Sequence, residues 1–367
     1  MVKMSRVLMM EEFSRTGGGQ ELFVDVYDSI RDRYSLSLIT DSSYRNDLDF
    51  KEIFKTSYYY EENMNPLSIF LRVRRLRKEI EGIMKGRAYD IIFNNHPNIF
   101  IFKGDINYLH SFSFLDPILD DGGNIKSKAT YEMIKRSGLY NIYDGGRFLT
   151  HGKYTLSLSE KMFPYLNITP AKIDYINIPV RNFFDVDLGG KEDTVLTFGR
   201  INKDKNLEFV IETASRMSGT KFLIAGAVNS GDFRYYEHLR KISPDNVTFY
   251  PSPSNEEKWK LYSNSKVYLH ARRKEPYGIT VAEAISFGCI PVVPKSGGPW
   301  VDIIEEGNYG LGYDDQPDDE IKQALGAGRE FSKTVMQSRE RFSFDIFKDK
   351  IINYFQEAAN EKIFNRR

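Results

Sequence analysis

Two acids, Glu275 and Glu283, stand with seven residues between them in "KEPYGITVAEAISFGCIPVV", on either side of the turn Pro276-Tyr277-Gly278 and the start of an apolar segment. Upstream, "TFGRINKDKN" closes an apolar run at Gly199 and sets Arg200 and Lys205 in the loop before the next helical pattern. Two cations beside a strand end suit a phosphate, since arginine binds two oxygens at once and lysine supplies a mobile point charge. A helix starting near Ile279, after Gly278, adds the N–H groups of Ile279, Thr280 and Val281 and the positive end of its dipole. A carboxylate aimed at that phosphate would repel it, so Glu275 is expected to face a neutral, hydroxyl-rich group. Glu283, about two turns further on, suits a second hydroxyl pair such as a ribose. Phosphate with a sugar on one side and a ribose on the other describes a nucleoside-diphosphate sugar. The plainer reading is a solvated basic loop and a helix carrying surface acids. A hydrolase pair, with carboxylates roughly 5 to 10 Å apart across a scissile bond, conflicts with placing both acids at a phosphate-binding helix.

The elements that must hold these residues follow from periodicity. "SRVLMMEE" reads as a strand, "FSRTGGGQ" as a loop and "ELFVDVYDSIRDRY" as a helix. Apolar runs follow in "LSLIT", "YDIIFNN", "INYLHSF" and "YTLSLSE", with the helical pattern "PLSIFLRVRRLRKEIEGIMKG" among them. From residue 191 strand and helix patterns alternate regularly, from "TVLTFG" and "NLEFVIETASRM" to "IPVVP" and the helix "WVDIIEEG". That series predicts an α/β fold with a parallel sheet covered by helices. The polar "DVDLGGKED" at 185–193 marks a boundary between domains 1–184 and 185–345, with a terminal helix over 346–367. In such doubly wound sheets ligands sit at the carboxyl ends of the strands. The loops to watch are 13–20, 110–117, 199–205, 271–279 and 295–299.

Composition narrows the function classes. The 367 residues carry 51 Lys+Arg and 51 Asp+Glu, so no global field draws the chain to nucleic acid. The single cysteine, Cys289, lies in the apolar run "FGCIPVV" and reads as packing, and the lack of a disulfide framework fits a reducing cytosol. No segment approaches the roughly 20 apolar residues of a membrane span. The chain is expected to be cytoplasmic, with peripheral contact to the cytoplasmic membrane face through the basic amphipathic stretch 66–86.

"GRINKDKN" followed by "EPYGITVAEA" resembles the donor-site signature of glycosyltransferase family 4, the group 1 glycosyltransferases, most strongly over 194–305. The resemblance implies a GT-B fold: two Rossmann-like domains facing across a cleft, the first binding the acceptor and the second the donor, with the terminal helix crossing back to the first. It implies a retaining hexosyl transfer without cofactor or metal, protein cations and helix dipoles neutralising the departing diphosphate. Arg200, Lys205 and Glu275 fall in its catalytic set, with His110 of "NYLHSF" contacting the donor sugar near the reacting centre. Gly18 and Gly19 of "GGQE" match its glycine loop, and Ser296, Gly297 and Gly298 of "SGGPWVDII" its second. Gly199, Gly278, Ile279, Thr280, Val281 and Glu283 complete the donor-binding set. The acid of the family's Gly-Gly-x-x-Glu is missing: Val301 holds that place and Asp302 follows it, read as helix N-terminal packing. "SGGPxxDI" is instead similar to mannosyltransferases that extend dolichol-linked oligosaccharides. This points to a donor of the GDP-mannose or UDP-glucose type and a lipid-linked or other glycan acceptor. His96 and His270 are read as packing or loop residues, and Asp185-Val186-Asp187 as linker rather than a metal motif. The alternatives are another GT-B enzyme, making a soluble disaccharide or epimerising a sugar nucleotide, and a non-catalytic partner of the same fold.

Overall fold

The computed structural model describes residues 4–13, 18–44, 48–57, 66–97, 100–110, 132, 135–181, 183 and 185–364. Of the loops expected to carry ligands, 14–17 and 111–117 lie outside the described residues. The chain forms two compact units, residues 1–178 with 344–367 and residues 179–343. The division therefore precedes the polar stretch at 185–193, which belongs wholly to the second unit. Among the described residues no helix is long and apolar enough to cross a membrane.

The first unit contains β1 (Arg6–Glu11), α1 (Gly18–Ile30), β2 (Ser35–Thr40), β3 (Glu52–Lys55), α2 (Pro66–Met84), β4 (Ile91–Asn94), β5 (Ile106–Leu109), β6 (Arg147–Thr150), α3 (Lys153–Met162) and β7 (Lys172–Tyr175). Its sheet is parallel, in the order β3-β2-β1-β4-β5-β6-β7. The central strands are apolar on both faces because helices cover both: Val7, Leu8, Met9 and Met10 are all fully buried. "YTLSLSE" alternates like a strand but folds as α3. Its small polar residues explain the change, since Thr155 and Ser159 lie four apart on the buried face and the Ser159 hydroxyl donates to the Thr155 carbonyl at 2.8 Å.

The second unit contains β8 (Glu192–Phe198), α4 (Leu207–Arg216), β9 (Lys221–Gly226), α5 (Phe233–Ile242), β10 (Val247–Pro251), α6 (Asn255–Asn264), β11 (Ser265–Leu269), α7 (Ile279–Ser286), β12 (Ile290–Pro294), β13 (Leu311–Tyr313), α8 (Asp318–Gly326) and α9 (Arg329–Gln337). Its parallel sheet runs β10-β9-β8-β11-β12-β13. Val195, Phe222, Ile224, Val267 and Val292 from the strands meet Leu207, Val210, Leu239 and Ile321 from the helices in one core. The helix expected over 300–307 is instead a π-helical turn, Pro299–Ile303, and a short 3-10 turn, Glu305–Gly307. Residues 305 and 306 take left-handed backbone angles, which stop a regular helix.

The last helix, α10 (Phe344–Phe364), belongs to the first unit. Phe355 packs on Phe93 with ring centroids 5.6 Å apart, and the Tyr354 hydroxyl donates to the Phe148 carbonyl at 2.8 Å. Arg147, whose side chain is 6% exposed, is held by Glu357 at 3.2 Å and also by Glu361.

One close approach sets the β8 turn of the second unit. Gly226 ends β9 at φ +145°, and a Cβ there would lie 1.7 Å from the Gly199 carbonyl oxygen. Gly199 in turn donates its N–H to the Ala225 carbonyl at 3.0 Å. Gly226→Ala is expected to destabilise the protein by more than about 2 kcal/mol in urea unfolding. Gly219→Ala, whose Cβ would meet open space, is the control expected to stay near wild type.

Candidate functional site

In the second unit β8 lies between β9 and β11, so the strand order reverses there. Open α/β sheets bind ligands at that point, beyond the carboxyl ends of the strands. Three loops meet at this edge: the one after β8 with Arg200 and Lys205, the one after β11 with His270 to Gly278, and the one after β12 with Ser296 to Gly298.

Glu275 is their common partner. Its side chain is 12% exposed and accepts a hydrogen bond from Lys205 Nζ at 2.7 Å. Arg272 Nη1 stands 3.3 Å from both carboxylate oxygens, and His270 Nε2 3.8 Å from Oε2. Burial alone would raise the carboxyl, but Lys205, His270 and Arg272 outweigh it and bring it down to about 2. Burial lowers His270 to about 4, with Lys205 and Arg272 adding to the effect and Glu275 opposing it. The ring is uncharged at neutral pH, so there Lys205 and Arg272 supply the counter-charge. Arg200 is exposed, and its side chain forms no hydrogen bond or ion pair among the described residues.

The second glycine loop lies directly on this turn. Gly298 donates its N–H to the Glu275 carbonyl at 2.8 Å. A Cβ on Gly297, at φ +79°, would come 2.8 Å from that carbonyl oxygen, and one on Gly298 2.4 Å from the Pro276 oxygen. Gly278 caps α7 in a left-handed conformation without a side-chain bond. Of the three N–H groups expected at this helix start, that of Val281 donates to the Gly278 carbonyl at 2.9 Å. Those of Ile279 and Thr280 precede any carbonyl their own helix offers. Ser296 Oγ is buried with no hydrogen-bond partner among the described residues.

Glu283 sits on α7 in a different charge setting. It is buried, accepting from Lys258 Nζ at 2.5 Å through Oε1 and from the Tyr262 hydroxyl at 3.1 Å through Oε2. Lys258 and Tyr262 are one turn apart on α6, whose start is fixed by a capping box between Ser254 and Glu257. Burial, followed by Glu283, raises the Tyr262 hydroxyl well above its usual value, so it stays a donor.

In the first unit, histidines follow β4, β5 and β6 and gather beside the start of α1. The rings of His96 and His110 lie 4.7 Å apart, and those of His110 and His151 5.9 Å. A Cβ on Gly19 would come 3.4 Å from the Cε1 atoms of both His96 and His110, so the glycine loop closes on these rings. Buried Glu11, at the end of β1, meets His96 Nε2 at 3.0 Å. Burial, then the neighbouring His96 and His151, holds His110 well below the usual histidine range. Its Nε2 is buried without a hydrogen-bond partner among the described residues.

Several readings change here. His96 and His270, both read as packing or loop residues, lie with their rings 4.7 Å from that of His110 and 3.8 Å from Glu275 Oε2 respectively. His151, Arg272 and Lys258 were not singled out from the sequence. A signal for His151 was present, since "FNNH", "NYLH" and "FLTH" each place a histidine just past an apolar strand pattern. Arg272 lies three residues before Glu275, but nothing local links Lys258 to Glu283. Asp302 is buried in the π-helical turn. Cys289 is buried against the Tyr262 and Ser265 carbonyls, at 3.1 and 3.2 Å, and Asp187 accepts the Gly189 N–H at 2.9 Å in a turn of the second unit rather than a linker.

Residues 181–327 match the family described as "Glycosyl transferases group 1". Over 199 residues the chain is 26% identical to the GDP-Man:Man(3)GlcNAc(2)-PP-Dol alpha-1,2-mannosyltransferase of Dictyostelium discoideum, covering 48% of this chain and 39% of that one. Over 189 residues it is 26% identical to the glycogen synthase of Fusobacterium nucleatum, covering 47% and 40%. The chain thus spans about two fifths of the length of these two curated relatives. Among solved structures, sucrose-phosphate synthase from Thermosynechococcus elongatus superposes with a TM-score of 0.72 at 14% identity, over 96% of this chain and 98% of that one. Anabaena HepE in complex with UDP-glucose gives 0.65 at 16% identity, over 96% and 99%.

The Glu275 carboxyl titrates lower when folded than its ordinary value of 4.5. The stability it contributes is therefore full above that value and is lost as pH falls towards about 2. A carboxyl carbon-13 NMR titration should find Glu275 ionised down to near pH 2, with Lys205→Ala raising the midpoint by about 1.

Proposed function

We propose that this chain, a group 1 glycosyltransferase over residues 181–327 with the GT-B fold, moves a hexose from a nucleoside-diphosphate sugar to an acceptor hydroxyl with retention of anomeric configuration. The observation that carries the reading is the Lys205–Glu275–Arg272 cluster, set on the glycine loop 296–298 beside the start of α7, with exposed Arg200 in the same loop as Lys205. The UDP-glucose bound to HepE and the GDP-Man of the Dictyostelium enzyme's name support a nucleotide-sugar donor of one of these two types. The Man(3)GlcNAc(2)-PP-Dol of the Dictyostelium enzyme's name supports a glycan or lipid-linked acceptor.

In this reading the bond from the anomeric carbon to the diphosphate breaks as the acceptor oxygen attacks on the same face. The negative charge developing on the leaving phosphate is met by Arg200, Lys205 and the N–H groups of Ile279 and Thr280. Such preorganised donors lower barriers by several kcal/mol. The acceptor proton passes to the departing phosphate. Glu275 is no general acid, because a carboxyl held near 2 has no proton to give at neutral pH; it orients sugar hydroxyls. The protein's own cations supply the counter-charge, so the reading calls for neither metal nor cofactor.

A lipid-linked acceptor agrees with the outer stripe of α2. Leu71 is 57% exposed, and with Arg74, Arg75, Lys78 and Glu79 it lines a shallow groove. Arg75 and Arg77 pair with Glu79 and Glu81 along the helix at 3.3 and 3.0 Å, which tempers the positive charge.

With labelled UDP-, GDP- and ADP-sugars, product analysis separates a free epimer, a soluble glycoside and a lipid-extractable one. Arg200→Ala and Lys205→Ala are each expected to lower turnover at least about tenfold, and near wild-type transfer by both would overturn the assignment. The anomeric coupling constant of the product reports retention directly. The wild-type protein should float with phosphatidylglycerol vesicles at low salt, and Arg74→Glu with Lys78→Glu should abolish this.

A further inference from the structure

Lys205 has two anions to answer. Its ammonium sits 2.7 Å from Glu275 Oε2, and in the proposed reaction it meets the leaving diphosphate. Moving it off Glu275, whose side chain is 12% exposed, would leave a nearly buried carboxylate facing no lysine. Breaking a buried pair from one side is strongly unfavourable. A second cation already faces the same acid. Arg272 Nη1 stands 3.3 Å from both Oε1 and Oε2, beyond the roughly 2.7 to 2.9 Å of a strong charge-assisted bond, so this contact has room to shorten. The Arg272 side chain makes no other hydrogen bond or ion pair among the described residues. His270 Nε2, 3.8 Å from Oε2, brings no charge at neutral pH. The loops also stay joined without the Lys205 ammonium: Asn206 Nδ2 donates to the Ala271 carbonyl at 3.3 Å, and the Gly298 N–H to the Glu275 carbonyl at 2.8 Å. Gly199 offers no side chain to confine the lysine stem, since a Cβ there would lie 3.7 Å from its Cε.

We infer that Arg272 is a positioning residue for the transfer: it takes over the Glu275 carboxylate when the donor diphosphate draws Lys205 away. The inference rests on the reading of this unit as the nucleotide-sugar site and adds to it a residue and an exchange of partners. The exchange moves no proton and breaks no covalent bond. The ammonium passes from a carboxylate oxygen to a phosphate oxygen, and the guanidinium closes on the carboxylate it already spans. Arginine suits the second part, because its planar fork matches a carboxylate and loses little freedom per bond formed. Lysine suits the first, as a point charge on a flexible stem. The chain places each accordingly: Arg272 lies three residues before Glu275 and stays beside it, whereas Lys205 arrives from the loop after β8. Without Arg272, the diphosphate and Glu275 compete for one ammonium.

The test is titration calorimetry with UDP, GDP and ADP on wild type, R272Q, E275Q and the double variant. These ligands lack the transferred sugar, so E275Q removes the charge that holds Lys205 without removing a sugar contact. R272Q should weaken binding of the nucleotide that wild type prefers at least about tenfold. In the E275Q background, where Lys205 has no carboxylate to leave, the same change should weaken it less than about threefold. R272K keeps a cation beside the acid and should recover most of the loss. The fitted stoichiometry counts folded protein, so partial unfolding does not pass for a change in affinity; if R272Q does not fold, R272M gives the same comparison. Equal losses in the two backgrounds, as direct contact of Arg272 with the phosphate would give, or no loss in either, overturn the exchange and leave the donor site standing. Failure of all three nucleotides to bind wild type overturns the donor reading itself, and this inference with it.

Discussion

The buried negative charge of Glu275 is the constraint on which the carboxyl edge of the second sheet depends. A carboxylate withdrawn from water must be answered by charge or hydrogen bonds, and the answers come from two loops. Lys205 arrives from the loop after β8, Arg272 from the acid's own loop after β11. The carbonyl of Glu275 then takes the Gly298 N–H from the loop after β12. One residue thus ties three loops that are far apart in the chain. Side chains at 297 and 298 would strike this backbone, so their replacement by glycine is a condition of the arrangement.

The two acids that frame the turn share a pattern that their spacing alone does not reveal. Each is buried, and each has its own lysine, Lys205 for Glu275 and Lys258 for Glu283. Glu275, held down to about 2, is not placed to exchange protons at neutral pH. Their chemistry is that of anchored acceptors, with orientation set by the cations that hold them. Arg200 differs from both lysines in having no side-chain partner among the described residues, which suits a cation that waits for an anion rather than one that maintains the fold.

In the first unit the corresponding edge of the sheet is built from histidines. His96, His110 and His151 follow consecutive strands of the sheet, and the start of α1 packs on the first two through Gly19. Burial, then the neighbouring His96 and His151, holds His110 well below the usual histidine range, while Glu11 fixes His96. The first unit thus gathers histidines beyond its strand ends, where the second gathers a carboxylate and its cations.

Local pattern determined much of this protein. The alternation after residue 191 specified the parallel sheet, because strands buried on both faces and helices buried on one leave distinct periods in the sequence. "GRINKDKN" and "EPYGITVAEA" located Arg200, Lys205, Glu275 and Glu283, since short motifs keep chemistry and spacing together. Where small polar residues served a helix face, as in "YTLSLSE", the period misled, and left-handed residues at 305 and 306 ended a helix that composition favoured. Tertiary structure alone decided which side chain answers which. Lys258 reaches Glu283 because α6 and α7 pack together, His151 joins His110 because β5 and β6 are neighbours, and the Val281 N–H is consumed by a cap. Sequence separation carries no information about such meetings: a buried charge is satisfied by whatever the fold brings within hydrogen-bonding reach.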